Sequence, residues 1–313
     1  MSRLAFVFPG QGSQFVGMGQ DLARAFPEAR EVLQAADRAV GFPLSRLMAE
    51  GPAEELRQTV NTQPAIVAHS LAVLAVVRAR GLEPSVVAGH SVGEYAAVAA
   101  CGALEPEEVL GLVRRRGQYM QEAGELQASG MAALIGADLE AAEALCAAAS
   151  EVAPVEVANL NSPGQVVISG ARSGLEEAAR RAREFQVRKL IPLEVSGAFH
   201  SQLMEPAARR LAGDLAGAAL RDPALPLVAN RTARPVTDAG ELRRVLSEQV
   251  TSRVLWEDSV RQMRALGITH FLELGPGSAL AGMIKRIDRE AAVLSIQDLP
   301  TLEQALESLV APV

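Results

Sequence analysis

A strand, a tight turn and a helix are predicted in immediate succession by Val86-Val87-Ala88-Gly89-His90-Ser91-Val92-Gly93-Glu94-Tyr95-Ala96-Ala97. The β-branched start is typical of a buried strand, and the alanine-rich end is typical of a helix. Between them lies Gly-His-Ser-Val-Gly, a G-x-S-x-G motif in the strand–turn–helix context of a nucleophile elbow. Ser91 is therefore a candidate nucleophile. The alternative is a glycine-rich turn with an ordinary serine at the helix start.

Steric crowding explains why this motif has a glycine on each side of the serine. A turn this sharp leaves no room for side chains on both flanks of Ser91, and Gly89 and Gly93 relieve the crowding. The serine hydroxyl then projects from the sheet edge, beside the first N–H groups of the following helix. Because those donors lie at the positive end of the helix dipole, they suit an oxyanion.

Size and composition indicate a large globular α/β protein. The chain has 313 residues, of which 49% are hydrophobic and 21% charged, enough for an extensive core. A formal charge of −7 argues against a nucleic-acid-binding protein. The two cysteines form no C-x-x-C motif, and we expect a cytoplasmic location. The first residues predict a strand rather than a signal peptide, and the longest apolar run, near residues 66–77, is too short to span a membrane.

Strands alternate with helices along most of the chain, which predicts a largely parallel sheet covered by helices. After residue 127 the predicted order becomes β-α-β-β-α-β, the ferredoxin-like split unit. We therefore predict an α/β-hydrolase-like large subdomain, formed by residues 1–127 and 197–313. Residues 128–196 would form a small ferredoxin-like subdomain inserted into it.

Two helices raise more specific expectations. A long apolar helix is predicted over residues 63–80, with Pro64 at its first position, where a missing N–H is tolerated. The helix predicted over residues 106–125 carries Arg114, Arg115 and Arg116 in succession. Successive helical residues point about 100° apart, so the three arginines cannot share one role. We expect Arg114 and Arg115 to be surface charges.

A serine nucleophile requires a base, and the chain has four histidines. His69 lies within an apolar helix and is expected to be a hydrogen-bonded core residue, and His270 opens a strand at the end opposite the expected site. His90 adjoins Ser91 but should point away. By elimination, His200, which lies in a loop before a helix, is the candidate base. The serine then precedes the histidine along the chain, which is the order found in α/β-hydrolases. No carboxylate stands out as a third member of a triad.

Six short motifs occur in one order along the chain. They are Gly10-Gln11-Gly12-Ser13-Gln14, Gly89-His90-Ser91-Val92-Gly93-Glu94-Tyr95, Arg116-Gly117-Gln118-Tyr119-Met120-Gln121, Asn161-Ser162-Pro163-Gly164-Gln165-Val166-Val167-Ile168-Ser169-Gly170, Gly197-Ala198-Phe199-His200-Ser201 and Glu273-Leu274-Gly275-Pro276-Gly277. Together they resemble the malonyl-CoA:acyl-carrier-protein transacylase family, the free-standing acyltransferases of bacterial type II fatty-acid synthesis. The resemblance covers essentially the whole chain, including the ferredoxin-like insert.

The resemblance implies a catalytic set. Ser91 would be acylated, and His200 would act first as base and then as acid. The main-chain carbonyl of Gln249 would hold His200, which would account for the missing carboxylate. The backbone N–H groups of Gln11 and Val92 would form the oxyanion hole.

The resemblance also implies a substrate-binding set and partners. Arg116 would bind the malonyl carboxylate as a bidentate pair, because burying that charge unpaired costs several kcal/mol. Phe199 would leave little room for an α-methyl branch on the substrate. Met120 and Gln249 would also be substrate-binding residues. The partners would be malonyl-CoA and acyl carrier protein, with no metal or redox cofactor. Four basic residues either dock the carrier protein or are scattered surface charges: Arg188, Lys189, Lys285 and Arg286.

Three other functions remain open at this point. A serine hydrolase, such as a lipase or thioesterase, would share Ser91 but would give no reason for Arg116 or for the insert. A binding protein with an inactive elbow is disfavoured by the Ser91–His200 pair. A trans-acting acyltransferase of a polyketide pathway would use the same chemistry.

Overall fold

The computed structural model describes residues 3–310 and contains two sheets. The strands are β1 (Leu4–Phe8), β2 (Val86–Gly89), β3 (Ser129–Ile135), β4 (Val155–Ser162), β5 (Gln165–Ala171), β6 (Lys189–Pro192), β7 (Leu227–Val228), β8 (Pro235–Val236), β9 (His270–Leu274) and β10 (Ala292–Ile296).

The helices account for most of the remaining chain. They are α1 (Gln20–Ala25), α2 (Pro27–Val40), α3 (Leu44–Glu50), α4 (Ala53–Arg57), α5 (Thr59–Arg78), α6 (Gly93–Ala100), α7 (Pro106–Glu125), α8 (Leu139–Ala149), α9 (Arg172–Arg181), α10 (Glu205–Gly217), α11 (Ala239–Gln249), α12 (Trp256–Ala265), α13 (Ala279–Ile287) and α14 (Leu299–Val310). Short 3₁₀ helices follow α9 at Ala182–Phe185 and precede α10 at Gln202–Met204.

The larger sheet confirms the predicted α/β class. Its strand order is β10-β9-β1-β2-β7-β8, and every pairing is parallel except that of β7 with β8. Strands β1 and β2 lie in the middle and are almost wholly buried, because helices pack on both faces. The carboxyl ends of β1 and β2 therefore meet at one edge, where Phe8 pairs with Gly89.

The smaller sheet is antiparallel and has the strand order β4-β5-β3-β6. With α8 and α9 on one face, the connection β3-α8-β4-β5-α9-β6 is the ferredoxin-like arrangement predicted for the insert. This unit has its own hydrophobic cluster. Two main-chain hydrogen bonds join it to the rest of the chain: the Leu160 N–H donates to the Val254 oxygen, and the Val254 N–H donates to the Ala158 oxygen. We propose residues 128 and 196 as its boundaries.

Helix α5 differs from its prediction in both length and the place of its proline. It begins at Thr59, so Pro64 lies inside the helix rather than at its first position. A proline there has no N–H to donate to the carbonyl of Val60. Arg114 replaces that donor, because its Nη1 lies 2.7 Å from the Val60 oxygen and 2.7 Å from Asn61 Oδ1. Arg114 is therefore a structural residue of the α5–α7 contact, and the predicted surface role was wrong.

The same helix is longer than the apolar run predicted for it. By length and composition alone, α5 could cross a membrane, but 89% of that stretch is buried inside the protein. The long helix α7 and the helix α2 pack against it. The apolar surface of α5 is therefore covered by other helices of the same protein.

His69 lies in the middle of α5 and is fully buried, but the expectation that it is hydrogen-bonded was wrong. Neither ring nitrogen has a hydrogen-bond partner among the described residues. Burial lowers the pKa of His69 to about 4, because its charged form would have to leave water. The histidine is thus neutral in the folded protein at pH values where an exposed histidine is protonated.

Removing His69 should make the protein less sensitive to acid. As pH falls from about 6.5 to about 4, the unfolded chain binds a proton at this position and the folded protein does not, so the free energy of unfolding decreases. The expected slope is at most about 1.4 kcal/mol per pH unit. His69→Leu should reduce the slope between pH 6 and 5 by about that amount, measured by denaturant unfolding. Ser70→Ala, at a neighbouring buried residue that does not titrate, should shift the plot of unfolding free energy against pH without changing its slope. If the plot for His69→Leu runs parallel to that of the wild-type protein, this account is contradicted.

Candidate active site

The turn between β2 and α6 has the geometry of a nucleophile elbow. Ser91 has φ 52°, in the left-handed region that a serine adopts only under constraint. A Cβ on Gly89 would lie 2.0 Å from the carbonyl carbon of Gly93, and a Cβ on Gly93 would lie 2.2 Å from the Phe8 oxygen. Both approaches are impossible for any other residue. The two glycines are thus required by the contact of α6 with the ends of β1 and β2.

Asn230 fixes the backbone of this turn from the neighbouring strand. Its Oδ1 accepts a hydrogen bond from the Ser91 N–H at 2.7 Å, and its Nδ2 donates to the Gly89 carbonyl. The Asn230 main-chain N–H donates to Glu94 Oε1 at 2.8 Å. Asn230 stands shortly after β7, the strand next to β2, and so reaches the elbow from the side.

Ser91 and His200 lie in direct contact. Ser91 Oγ is 2.7 Å from His200 Nε2, and His200 Nδ1 is 3.0 Å from the main-chain oxygen of Gln249. A carbonyl only accepts hydrogen bonds, so Nδ1 carries the proton and Nε2 presents its lone pair to the serine hydroxyl. Burial, reinforced by the positive charge of Arg116, lowers the pKa of His200 to about 3. The imidazole is therefore neutral and able to accept a proton.

The other residues near this pair are placed differently. His90 Nε2 lies 2.8 Å from Asn161 Oδ1, and its ring packs edge-on against Trp256, so it points away from Ser91 as predicted. Glu194, which is close to His200 in sequence, is exposed and pairs with Arg57. The His90–Asn161 contact ties the elbow to strand β4 of the small sheet.

Arg116 is 1% exposed and is directed at Ser91. Its Nη1 donates to Gln63 Oε1 at 2.6 Å, and its Nη2 donates to Gln249 Oε1 at 2.9 Å and lies 3.4 Å from Ser91 Oγ. Burial lowers the pKa of Arg116, and the ring of Tyr95 lies below the guanidinium at 5.6 Å. Among residues 3–310 no carboxylate forms a salt bridge with it. The site therefore presents a buried cation beside a serine hydroxyl.

A cavity of about 240 Å³ opens onto this serine. Most of the predicted site residues line it: Gln11, Ser91, Val92, Arg116, Met120, Phe199 and His200. Gln249 lies behind Arg116 and is not part of the wall.

The two residues predicted to supply an oxyanion hole, Gln11 and Val92, both line this cavity. The main-chain N–H groups of Gln11 and Val92 donate to no other group within the described chain. The Gln11 side chain is held separately, because its Nε2 donates to Thr59 Oγ1 at 3.3 Å. Two unoccupied donors beside a serine hydroxyl can stabilise negative charge on a bound carbonyl oxygen.

The chain is similar to known proteins over almost its full length. The family model of the acyl transferase domain matches residues 5–308. The chain belongs to this family. It is 42% identical over 310 residues to the malonyl CoA-acyl carrier protein transacylase of Bacillus subtilis, covering 99% of this chain and 98% of the relative.

Solved structures of acyltransferases agree with this assignment. The malonyl-CoA:acyl carrier protein transacylase of Xanthomonas oryzae pv. oryzae is 39% identical, with a TM-score of 0.95 and 98% of each chain covered. A malonyl-transacylase in complex with its type II PKS acyl-carrier protein is 38% identical, with a TM-score of 0.94, covering 98% of this chain and all of that one.

Three polar residues of this acyltransferase site were missed in the sequence. Gln63 lies in α5, Asn230 follows β7, and Glu94 lies in α6 just after the elbow. The available signals were weak: Gln63 interrupts an apolar helix, and Asn230 is a polar residue after a strand. Their partners are 53 to 155 residues away, so only the folded chain brings them together.

Proposed function

We propose that this acyltransferase moves the malonyl group of malonyl-CoA to the phosphopantetheine thiol of acyl carrier protein, through a malonyl ester on Ser91. The observation that carries this proposal is Arg116, a buried cation 3.4 Å from the Ser91 hydroxyl. The names of relatives that are about 40% identical over the full chain support the same reaction.

In the first half-reaction Ser91 Oγ attacks the thioester carbonyl as its proton passes to His200 Nε2. The tetrahedral oxyanion would accept hydrogen bonds from the N–H groups of Gln11 and Val92. One such donor is worth about 3 kcal/mol in a site shielded from water. Collapse of the intermediate breaks the carbon–sulfur bond, and His200 returns the proton to the departing CoA thiolate.

The main-chain oxygen of Gln249 takes the position of the carboxylate in a serine triad. Its hydrogen bond from Nδ1 fixes the tautomer and the ring orientation of His200. A neutral carbonyl stabilises an imidazolium less than a carboxylate does. His200 is therefore held without a carboxylate in direct contact with its ring, which suits a site that must also accept a negatively charged substrate.

Arg116 accounts for the choice of acyl group. A malonyl group differs from an acetyl group by one carboxylate, whose burial costs several kcal/mol unless it is paired. The guanidinium offers a planar fork of donors for that carboxylate, and a substrate that lacks it leaves the cation unpaired. Phe199 and Met120 fill the adjacent wall, where Phe199 would restrict an α-methyl branch.

In the second half-reaction the carrier-protein thiol takes the place of CoA and the same steps run in reverse. Neither thioester exchange requires a metal ion or a redox cofactor. Arg188 and Arg286 border a hollow beside the small sheet, where Arg286 donates to Gln165 Oε1 at 2.8 Å. We propose that these two arginines, together with Lys189 and Lys285, dock an acidic carrier protein. The proposed reaction fits a cytoplasmic enzyme.

A polyketide pathway is the second candidate context. It is favoured by one observation, the 38% identity to a malonyl-transacylase solved with its type II PKS acyl-carrier protein. The chemistry on Ser91 would be identical, and the two contexts differ only in which carrier protein accepts the group.

The proposed function predicts a two-stage mass transfer. Incubation with malonyl-CoA should add one malonyl group to the protein, read by intact mass, and addition of holo acyl carrier protein should move that group to the carrier. Fatty-acid and polyketide carriers tested in parallel would separate the two contexts. Release of free malonate with no gain on any carrier would instead indicate a hydrolase.

A further inference from the structure

Glu94 is a buried carboxylate that the proposed reaction does not yet use. It lies in the first turn of α6, three residues beyond Ser91, and is 1% exposed. Oε1 accepts a hydrogen bond from the Asn230 main-chain N–H at 2.8 Å, and Oε2 accepts one from Gln249 Nε2. A buried carboxylate held by neutral donors is costly, so its position requires an explanation.

The contact with Gln249 determines how that side-chain amide is oriented. Burial raises the pKa of Glu94 to about 7, and its ionised form can only accept hydrogen bonds, so the NH₂ end of the amide faces it. The same Nε2 donates to the Ser91 carbonyl at 3.0 Å, which requires the same orientation. The amide oxygen of Gln249 is then left facing Arg116, whose Nη2 donates to it at 2.9 Å.

We propose that Glu94 is a positioning residue that fixes the amide of Gln249 and thereby aims Arg116 at the acyl group on Ser91. Within the described fold, two amide oxygens, from Gln63 and Gln249, accept the shorter hydrogen bonds of the guanidinium at 2.6 and 2.9 Å, and Ser91 Oγ lies farther away at 3.4 Å. The inference deepens the proposed function and rests on it, because it concerns how this site selects a malonyl group.

The chemistry of an amide at position 94 makes the proposal testable. In Glu94→Gln the Asn230 N–H still requires an acceptor, so the new oxygen stays there and the new NH₂ faces Gln249 Nε2. Two donors then oppose each other, and if the Gln249 amide turns over to relieve the conflict, it gives up its hydrogen bond to the Ser91 carbonyl. Its NH₂ would face the Arg116 guanidinium, which loses one of its two acceptors and its fixed direction.

The test compares Glu94→Gln with a control at another buried glutamate. Glu273 accepts hydrogen bonds from the Leu280 and Ala281 N–H groups at 3.0 and 2.9 Å, away from Arg116. For each protein, kcat/KM for acylation of Ser91 by malonyl-CoA and by acetyl-CoA is measured by rapid quench and intact mass. Glu94→Gln should lower the malonyl-to-acetyl preference by about tenfold to a hundredfold, chiefly through KM for malonyl-CoA. Glu273→Gln should keep the wild-type preference.

A second variant keeps the proposal testable if Glu94→Gln does not fold. Gln249→Met has similar volume, retains the main-chain oxygen that holds His200, and removes the amide. It should lose the malonyl preference to the same extent, and the double variant should lose no more than either single variant. An unchanged preference in Glu94→Gln or Gln249→Met, or additive losses in the double variant, would overturn the inference. Failure of the wild-type protein to acquire a malonyl group would instead reject the proposed function.

Discussion

Ser91→Ala should form no malonyl-enzyme, and His200→Ala should form it about 10⁴-fold more slowly than the wild-type protein. The first variant lacks the oxygen that carries the ester. The second leaves the hydroxyl without the neutral base that lies 2.7 Å away, so its proton has no acceptor as the carbonyl is attacked. Intact mass after incubation with malonyl-CoA measures the first variant, and single-turnover rapid quench measures the second.

The backbone at Ser91 provides a control for folding. Because φ is 52°, glycine fits this position better than alanine or serine does. Ser91→Gly should therefore be inactive yet more stable than the wild-type protein by about 1 kcal/mol, measured by denaturant unfolding. A malonyl group that still attaches to Ser91→Ala or Ser91→Gly would place the nucleophile elsewhere in the chain.

Arg116→Ala should lower kcat/KM for malonyl transfer by about 10²- to 10³-fold. The ratio of acetyl transfer to malonyl transfer should therefore rise. The buried malonyl carboxylate would have no cation to pair with, which costs about 3–5 kcal/mol, whereas the acetyl group has no charge to bury. Competition between malonyl-CoA and acetyl-CoA, read as the two mass gains on one sample, measures the preference directly.

The neighbouring arginine is the matched control for this prediction. Arg115 stands one residue earlier on α7, is exposed, and pairs with Asp214 at 2.8 Å on the outer face of the helix. Arg115→Ala should leave the malonyl-to-acetyl preference within about twofold of the wild-type value, since exposed ion pairs contribute little. An unchanged preference in Arg116→Ala would falsify the carboxylate role assigned to that residue.

The elbow could be predicted because its causes are local. Gly89 is required by a contact with Gly93, four residues away, and the flanking strand and helix have strong patterns of their own, although the contact that requires Gly93 is with Phe8 on β1. The alternation of strands and helices likewise predicted both sheets. Strand β8 was not predicted, because two residues at a sheet edge carry no pattern.

The support of His200 could not be predicted from residue types alone. A main-chain oxygen exists at every position, so no side chain identifies the one at Gln249 that accepts the hydrogen bond. Only the resemblance to a family pointed to it. The place of Pro64 inside α5 was missed for a related reason, because Arg114, 50 residues away, replaces the missing donor.

The polar network under the site depends wholly on tertiary structure. Gln249 is 133 residues from Arg116 and 155 from Glu94, and Asn230 is 139 from Ser91. Each residue by itself resembles an ordinary polar position on a helix or loop. Their hydrogen bonds become visible only when α6, α7 and α11 are packed together.

The most direct test is acylation by malonyl-, methylmalonyl- and acetyl-CoA in parallel, with the site of attachment read by intact mass and peptide mapping. The account predicts one malonyl group on Ser91, much slower acylation by acetyl-CoA because Arg116 remains unpaired, and slow acylation by methylmalonyl-CoA because Phe199 restricts the branch. Equal acylation by all three thioesters, or a malonyl group attached to any residue other than Ser91, would contradict it.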